Sequence, residues 1–228
     1  MFKHKHPYQP FIQADTEKLI VGTLPPPRFS IGELLEKDVD FCYGSYYNSL
    51  WLFIDKIHNL NLRYDNSEEA VQQRKNFLIQ HKIGVCDIVA SCEREKIDAS
   101  DLGMTNIKLR DVIGYLHQFP NVNTLLFTGG NSKNGPEYFF RKHLKTYGLK
   151  LNLVTNEVPR IHEFTLCHPE LDSEAQQKQR KIKTVSLTSS SGAANISISR
   201  IPLYRQLKAK NPDFNTFDFR VLQYREFL

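Results

Sequence analysis

Two loops of this chain are built from residue types that suit the binding of a ligand or of a phosphate backbone. The first follows Val21 and reads GTLPPP (22–27): its glycine permits a sharp turn and its prolines stiffen the backbone. The second reads TSSSGAAN (188–195), and its small residues let a phosphate approach backbone amides and hydroxyls closely. Neither loop has the spacing of a nucleotide P-loop or of a dinucleotide-binding turn. Both indicate a polar or phosphorylated ligand, unless the first is only a rigid corner and the second only a polar loop.

A third segment, Phe41–Trp51, is dense in aromatic residues around a single asparagine, Asn48. Rings spaced this closely can form a platform on which a nucleobase stacks. The same rings can instead pack into a hydrophobic core, which is the commoner use of such a stretch. Composition alone leaves both interpretations open.

Carboxylates are the remaining candidates for acid–base chemistry. Asp87, Glu93 and Asp98 lie in or just after a predicted strand, where one of them could act as a general base or hold a loop in place. The alternative is that all three are solvated loop carboxylates.

The histidines form no cluster with metal-ligand spacing, and we expect His4 and His6, near the terminus, to be disordered. The four cysteines lack a C-x-x-C pair, which argues against a zinc ribbon and an iron–sulfur cluster, so we expect free thiols.

The elements that position these residues alternate between strand and helix, which predicts a parallel sheet covered on both faces. Ligands of such sheets bind beyond the carboxyl ends of the strands, where the two loops lie. The Gln- and Lys-rich stretch Leu171–Lys183 is expected to be an exposed linker or a polar helix. The predicted strands are Lys18–Gly22, Ile83–Ala90, Asn123–Thr128, Leu149–Val154 and Thr184–Leu187, and the predicted helices are Asn48–Leu60, one that begins at Ser67, Leu109–Phe119, Tyr138–Tyr147, Arg200–Lys210 and Phe214–Phe227.

Length and charge limit the class of protein. With 228 residues, 40% of them hydrophobic and 24% charged, the chain has the composition of a globular protein, and we expect a single domain over residues 1–228. Residues 1–172 carry 20 basic and 21 acidic side chains, whereas residues 173–228 carry ten and four. A basic segment on a neutral body indicates a polyanionic partner, unless it is only a solvated helical face. No apolar run suits a membrane span or a signal peptide, so we expect a cytoplasmic monomer without membrane contact.

Taken in order, these segments resemble the uracil-DNA glycosylase superfamily over roughly residues 19–207, nearest to the branch that contains the hypoxanthine-DNA and mismatch-specific glycosylases. Residues 22–25 are similar to its first motif, a strand that enters a Gly-x-x-Pro loop. Residues 43–51 resemble its aromatic-to-Asn-x-x-Trp stretch. The segment CDIVASCERE (86–95) resembles W-D-V-x-x-S-C-x-R of the hypoxanthine branch, with Cys86 in place of the tryptophan. Residues 187–195 resemble the loop that enters the minor groove.

The resemblance implies a three-layer α/β/α sandwich on a mostly parallel four-stranded sheet. It also implies hydrolysis of the N-glycosidic bond of a deaminated base, uracil or hypoxanthine, that is flipped out of DNA, with no metal or cofactor. Asn48 falls on the motif asparagine and is the expected catalytic residue, holding a water that captures the sugar cation after the base has left. Tyr43 falls on the ring that stacks on the base. The expected substrate-binding residues are Gly22, Thr23, Leu24, Tyr43 and Thr128, and the expected DNA-binding residues are Pro25, Pro26, Ser189, Ser190, Ser191, Gly192 and Ala193.

Three positions depart from the superfamily pattern. Leu24 stands where many members have Asp or Asn to activate water, although the hypoxanthine branch is also apolar there. Thr128 stands where relatives often read the base edge with Asn, and a hydroxyl offers fewer hydrogen bonds than an amide. Gly192 stands where proline is common, in a loop without the histidine of the classical uracil enzymes. Two alternatives therefore remain: a weak or inactive relative that senses lesions in DNA, and an unrelated small-molecule hydrolase, for which no nucleophile–base pair is evident.

Overall fold

A computed structural model describes residues 1–98, 100–167 and 179–228. Its elements alternate along much of the chain, as the sequence predicts for an α/β protein. The strands are β1 (Phe2–Lys5), β2 (Lys18–Val21), β3 (Ile83–Val85), β4 (Val89–Arg94), β5 (Met104–Leu109), β6 (Thr124–Phe127), β7 (Asn152–Thr155), β8 (Arg160–Leu166) and β9 (Arg180–Ser186). The α-helices are α1 (Pro27–Ile31), α2 (Leu50–His58), α3 (Glu68–Gln80), α4 (Val112–Gln118), α5 (Pro136–Thr146), α6 (Asn195–Ile198), α7 (Pro202–Lys210) and α8 (Thr216–Arg225), and short 3-10 helices cover Asp101–Gly103 and Gly192–Ala194.

The main sheet has six strands in the order β3-β2-β6-β9-β8-β7. Its first four strands are parallel, and β8 and β7 continue it in antiparallel register. The α/β class is therefore confirmed, but the expectation of a four-stranded sheet is wrong. The sequence prediction missed β8, whose buried residues alternate with partly exposed polar ones and so lack the continuous apolar run of a central strand.

Two hydrophobic clusters lie on opposite faces of this sheet, because successive side chains of a strand point to opposite sides. Ile20 of β2 and Leu126 of β6 belong to the cluster that α2, α3 and α8 cover. Leu19 and Leu125, their neighbours in the chain, belong to the cluster that α4 and α5 cover. Burial on both faces fixes the register of the central strands, and with it the place where each strand ends.

A second sheet, in the order β1-β4-β5, stands beside the first. It divides the predicted strand Ile83–Ala90, because the chain leaves the main sheet after Val85 and enters the small one at Val89. It also overturns the expectation that His4 and His6 are disordered. β1 pairs with β4 from Phe2↔Arg94 to Lys5↔Ser91, and both histidine side chains are buried. The strand β1 has no apolar pattern, and it is held in place by its pairing with β4 and by the buried side chains of His4 and His6.

The predicted linker Leu171–Lys183 is only partly described. Arg180–Lys183 belongs to β9, so the expectation of a linker or helix is wrong there. Residues 171–178 of that stretch lie outside the described residues. Within the part of the chain that the structure describes, no helix has the length and apolar character to cross a membrane.

Candidate functional site

A cavity of about 250 Å³ opens at the carboxyl ends of the parallel strands β2, β6 and β9. This is the edge at which α/β sheets bind their ligands. Its volume equals that of about eight liquid waters, which leaves room for one planar ring system. The lining is about half polar and comes from six parts of the sequence. Its residues include Thr23, Leu24, Pro25 and Pro26; Tyr43, Tyr47 and Asn48; Asp87; Asp101; Thr128; and Ser189, Ser190 and Ser191.

The end of β2 brings a glycine and a threonine to the cavity. Ladder hydrogen bonds continue past the strand, from Ile88 N to Gly22 O at 2.9 Å and from Val89 N to Thr23 O at 3.1 Å. A Cβ on Gly22 would lie 2.6 Å from both Asp87 Oδ1 and Tyr43 Oη, so this position has no room for a side chain. The hydroxyl of Thr23 lies 3.1 and 3.2 Å from the two carboxylate oxygens of Asp101.

Tyr43 occupies an unusual backbone conformation in the loop before α2. Its φ is +59°, a value that residues with a side chain rarely adopt, and its ring is 8% exposed. Backbone hydrogen bonds hold the turn on both sides, from Val39 N to Gly44 O at 2.8 Å and from Gly44 N to Phe41 O at 2.9 Å. Strained backbone of this kind clusters at ligand sites, and here it turns the phenol of Tyr43 towards Gly22.

The same loop is tied to the proline-rich loop by a buried carboxylate. Arg28 binds Asp38 with two hydrogen bonds of 2.7 and 2.9 Å and also donates to Ser45 Oγ at 2.8 Å. Burial opposes ionisation of Asp38, but these bonds and two backbone amides lower its pKa. The Arg28–Asp38 ion pair therefore holds the proline-rich loop and the loop before α2 together at the cavity.

Asn48 lies where the serine loop meets the start of α2. The backbone of Asn48 bridges Ser191, and Ser49 N donates to Ser190 O at 3.0 Å. The side-chain Oδ1 of Asn48 accepts from Leu50 N at 2.9 Å. Because the oxygen is engaged in this turn, the group that Asn48 offers to a ligand is its NH₂, a hydrogen-bond donor.

One arginine of α8 fixes the serine loop from behind. Arg220 is 4% exposed, and its Nη1 donates to Ser189 O at 3.2 Å and to Ser191 O at 3.1 Å. Its Nη2 donates to Asn195 Oδ1 at 2.8 Å. The loop is therefore preorganised and its hydroxyls remain at the rim of the cavity.

Asp87 is the buried carboxylate of the site. Its Oδ2 lies 3.0 Å from His6 Nε2, and His6 Nδ1 accepts from Tyr8 N at 3.0 Å, which leaves the ring proton on Nε2, facing Asp87. Burial opposes the charge, yet the hydrogen bonds from His6 and Tyr43 and the charge of Arg110 keep the pKa of Asp87 below its ordinary value. Sequence analysis named Asp87 as one of three candidates but gave no role to His6, because nothing in the chain links two residues 81 positions apart.

Asp101 is the second carboxylate, and sequence analysis missed it. It lies in the 3-10 turn before β5, and burial raises its pKa to about 6, against the opposing effects of the Thr23 hydroxyl and of Arg94. A carboxylate with a pKa near neutrality suits a general base. Its sequence neighbours, Ser100 and Leu102, give no sign of a site, so only the fold could reveal it.

The cavity brings together most residues that the sequence singled out. Ten of the thirteen predicted site residues line it, among them Asn48, Tyr43 and Thr128. Gly22 lies behind the wall, and Gly192 and Ala193 form an exposed turn beyond the rim. Glu93 and Asp98, the other two acidic candidates, are not among the lining residues.

Beside the cavity runs a shallower depression, the side groove, of about 750 Å³. It shares Asp101 and Ser191 with the cavity and extends past Ala193 to Ser197. Arg160 of β8 contributes a cation to its wall. The side groove therefore gives an extended ligand a path that leads into the cavity.

The aromatic stretch serves both purposes that the sequence left open. Phe41 and Trp51 are buried in the core, with their ring centroids 6.4 Å apart. Tyr46 and Tyr47 are 50% and 68% exposed, with ring centroids 5.3 Å apart, and Tyr47 lines the cavity. Core packing thus explains the first pair, and the second pair is free to meet a ligand.

Comparison with known proteins gives no assignment: no protein-family model matches the chain, and neither a curated protein nor a solved structure is significantly similar to it. Among the described residues, no group of three or more His, Cys, Asp or Glu side chains is placed to hold a metal ion. The function must therefore be argued from the site itself.

Proposed function

We propose that this chain is a DNA glycosylase that hydrolyses the N-glycosidic bond of a deaminated base, uracil or hypoxanthine, flipped out of the helix. The observation that carries the proposal is the meeting of four distant segments, chosen for their resemblance to the uracil-DNA glycosylase superfamily, at one cavity beyond the parallel strands. Core packing requires no polar cavity at that point. A flipped base requires one that is small, polar and beside a path for the strand.

Asp101 and Asn48 have separate roles in the proposed reaction. The base enters the cavity, and the bond between its ring nitrogen and C1′ of the sugar breaks, with the electron pair leaving on the base. Asp101 takes a proton from the water that attacks C1′, because its raised pKa makes it a competent acceptor near neutral pH. The departed base takes up a proton from solvent, and Asp101 returns its proton to solvent. The NH₂ of Asn48 donates a hydrogen bond to an oxygen of the leaving base, which gains negative charge during the reaction. This division moves the water from Asn48, the initial expectation, to Asp101.

The DNA strand is proposed to follow the side groove. Serine hydroxyls and Arg160 bind its phosphates there. Ile196, 70% exposed in α6, stands at the outer end of the same loop and is suited to fill the gap that the flipped base leaves. The basic side chains of α7 lie just beyond it in the chain.

Labelled oligonucleotides that carry uracil, hypoxanthine or xanthine, single-stranded and in mismatched duplexes, test the proposal. After incubation with the protein, alkali cuts any abasic site, and a gel shows the cleaved strand. We expect cleavage of at least one damaged strand and none of the undamaged control. Tight, salt-sensitive binding without cleavage would instead identify a lesion-binding relative, and the absence of both would point to a small-molecule hydrolase.

A further inference from the structure

A buried arginine connects the N-terminal strand with the turn that carries Asp101. Arg94, the last residue of β4, is 1% exposed. Its Nε donates to Nδ1 of His4 in β1 at 3.0 Å, and its Nη1 donates to Ser100 O at 2.5 Å. Arg94 is not among the residues that line the cavity, so it can act on a ligand there only through another residue.

The contact with Ser100 fixes the start of the 3-10 turn. Ser100 O also accepts from Gly103 N at 3.1 Å, and this bond closes the turn. Ser100 N donates to Asp98 Oδ1 at 2.9 Å, and the same carboxylate oxygen lies 3.8 Å from Arg94 Nη1. Arg94 therefore binds the carbonyl from which the turn begins, one residue before Asp101.

The ring of His4 is in the state that this contact requires. Burial, together with the charge of Arg94, lowers the pKa of His4 to about 4, so the ring is neutral near neutral pH. Arg94 can only donate, so His4 Nδ1 accepts and the ring proton is on Nε2. Among the described residues, none hydrogen-bonds to Nε2. A buried N–H without a partner is destabilising, so packing alone does not explain a histidine at this position.

Arg94 also acts on the charge of Asp101. Burial raises the pKa of Asp101, the hydrogen bond from Thr23 and the charge of Arg94 lower it, and the charge of Asp87 raises it further. Arg160 of β8 lines the side groove to which Asp101 also belongs. Without the guanidinium of Arg94, the buried carboxyl would hold its proton to a higher pH. Arg94 therefore favours the ionised form, which can take a proton from water.

Resting on the proposed function, in which Asp101 is the base, we infer that Arg94 is the positioning residue of Asp101 and that His4 orients Arg94 for this role. Arg94 holds the turn in place, and its charge keeps the carboxylate able to accept a proton. The strand β1 lies before the segments that resemble the glycosylase superfamily, and it thereby supports the site from behind.

The pH dependence of base release tests both effects of Arg94. Arg94→Gln removes the charge and the fixed geometry, so we expect the midpoint of the profile to rise by about one pH unit and the plateau rate to fall at least about tenfold. Arg94→Lys keeps the charge but cannot hold His4 and Ser100 O together, so only the plateau should fall. Lys96→Gln removes an exposed cation two residues away and is the matched control. A midpoint in Arg94→Gln equal to that of the control would overturn the inference.

Two variants of His4 test whether this residue orients Arg94. Asparagine can place an amide oxygen where His4 has Nδ1, whereas leucine has a similar volume and no acceptor. We expect His4→Leu to lower the plateau rate about tenfold, because Arg94 loses its partner, and His4→Asn to stay close to the wild type. Equal rates in the two variants would contradict the role of His4.

A direct titration of Asp101 distinguishes this inference from the proposed function. Carbon-13 NMR of the Asp101 carboxyl reports its protonation without any need for base release. We expect a midpoint of about 6 in the wild type and about one unit higher in Arg94→Gln. Such a shift in a protein that excises no base would refute the glycosylase and not the action of Arg94 on Asp101. Excision with an Asp101 titration that does not respond to Arg94→Gln would do the reverse.

Discussion

At the scale of single residues, the site depends on two carboxylates whose pKa values are shifted in opposite directions. Asp87 is held ionised by His6, with its pKa below the ordinary value, while burial raises the pKa of Asp101 and moves it towards its neutral form. Pairs of titratable groups whose environments separate their pKa values commonly divide acid–base roles between them. In this site the environment of Asp87 keeps its charge, and that of Asp101 favours uptake of a proton.

The first prediction concerns Asp101→Asn. We expect base release to fall by about 10²–10⁴-fold, because an amide cannot accept the proton of water. In the wild type, the rate should fall as the pH drops below the Asp101 pKa of about 6, where this carboxylate becomes protonated. Single-turnover rates between pH 5 and 8 measure both effects. A variant with wild-type rates would remove Asp101 from the mechanism.

Asp101→Asn should lower the rate of base release but raise the stability of the folded chain. The pKa of Asp101 is about 6 in the folded chain, against an ordinary value of 3.8, so the folded state binds more protons between these values. Stability of the wild type is therefore lost through this group as the pH rises from about 4 to about 6. Above that range we expect Asp101→Asn to be more stable by up to about 3 kcal/mol, with the difference vanishing towards the lower end. Urea denaturation at about pH 4 and about pH 7.5 would show it.

The second prediction separates two roles of Asn48. Asn48→Ala removes both the NH₂ and the turn to Leu50 N, and should lower the rate about 10²-fold and stability by about 1 kcal/mol. Asn48→Asp keeps an oxygen for Leu50 N but has no NH₂. We expect it to fold as well as the wild type and to lose activity as Ala does. Full activity in either variant would make Asn48 purely structural.

At the scale of elements, the site is assembled by supports that lie behind it. The serine loop is rich in small polar residues, and its position depends on α8. Thr188 binds Gln223, and Tyr224 donates to Thr188 O at 2.8 Å. Arg220 adds the bonds to Ser189 and Ser191.

The third prediction tests this support. Arg220→Gln removes charged hydrogen bonds to part-buried carbonyls and should destabilise the chain by about 2 kcal/mol. It should also speed amide hydrogen exchange in residues 188–195 and weaken binding to DNA. Arg225→Gln, an exposed arginine of the same helix, is the control and should change neither property. Unchanged exchange in the serine loop would contradict the proposed support.

The sequence predicts the parallel strands β2 and β6 well because each is a short apolar run that ends at a loop. Both are found within one residue of the expected bounds. The sequence does not predict β1 or β8, each of which buries a histidine, His4 or His162, and depends on pairing with a neighbouring strand. For the same reason it identifies motif residues such as Asn48 and Tyr43 but not His6 or Asp101. Their place in the site depends on tertiary contacts that leave no local pattern.

At the scale of the whole molecule, the excess positive charge lies in the last quarter of the chain, which also contains the serine loop at the rim of the cavity. The basic C-terminal quarter includes α7, which carries Arg205, Lys208 and Lys210 and has no buried residue. In the chain it follows the loop that rims the cavity. A basic helix that has no buried residue is suited to a polyanion.

The fourth prediction uses these three residues. Replacing all of them with Gln should weaken DNA binding and reduce the slope of log K against log salt by up to about 3, at roughly 0.9 for each phosphate that is no longer neutralised. Lys142 and Lys145, in the second half of α5, and Lys150, beyond its end, provide a control of equal charge. Their replacement should leave the slope near that of the wild type. Equal effects from both sets would mean that only net charge matters.

The central claim is that this cavity cleaves the bond between a deaminated base and its sugar. Mass spectrometry of a duplex that carries hypoxanthine or uracil, after incubation with the protein, tests it most directly. We predict two products: the intact free base and an uncut strand whose mass is reduced by that base and increased by water. A strand of unchanged mass for both duplexes, or a strand broken without release of the base, would contradict this claim.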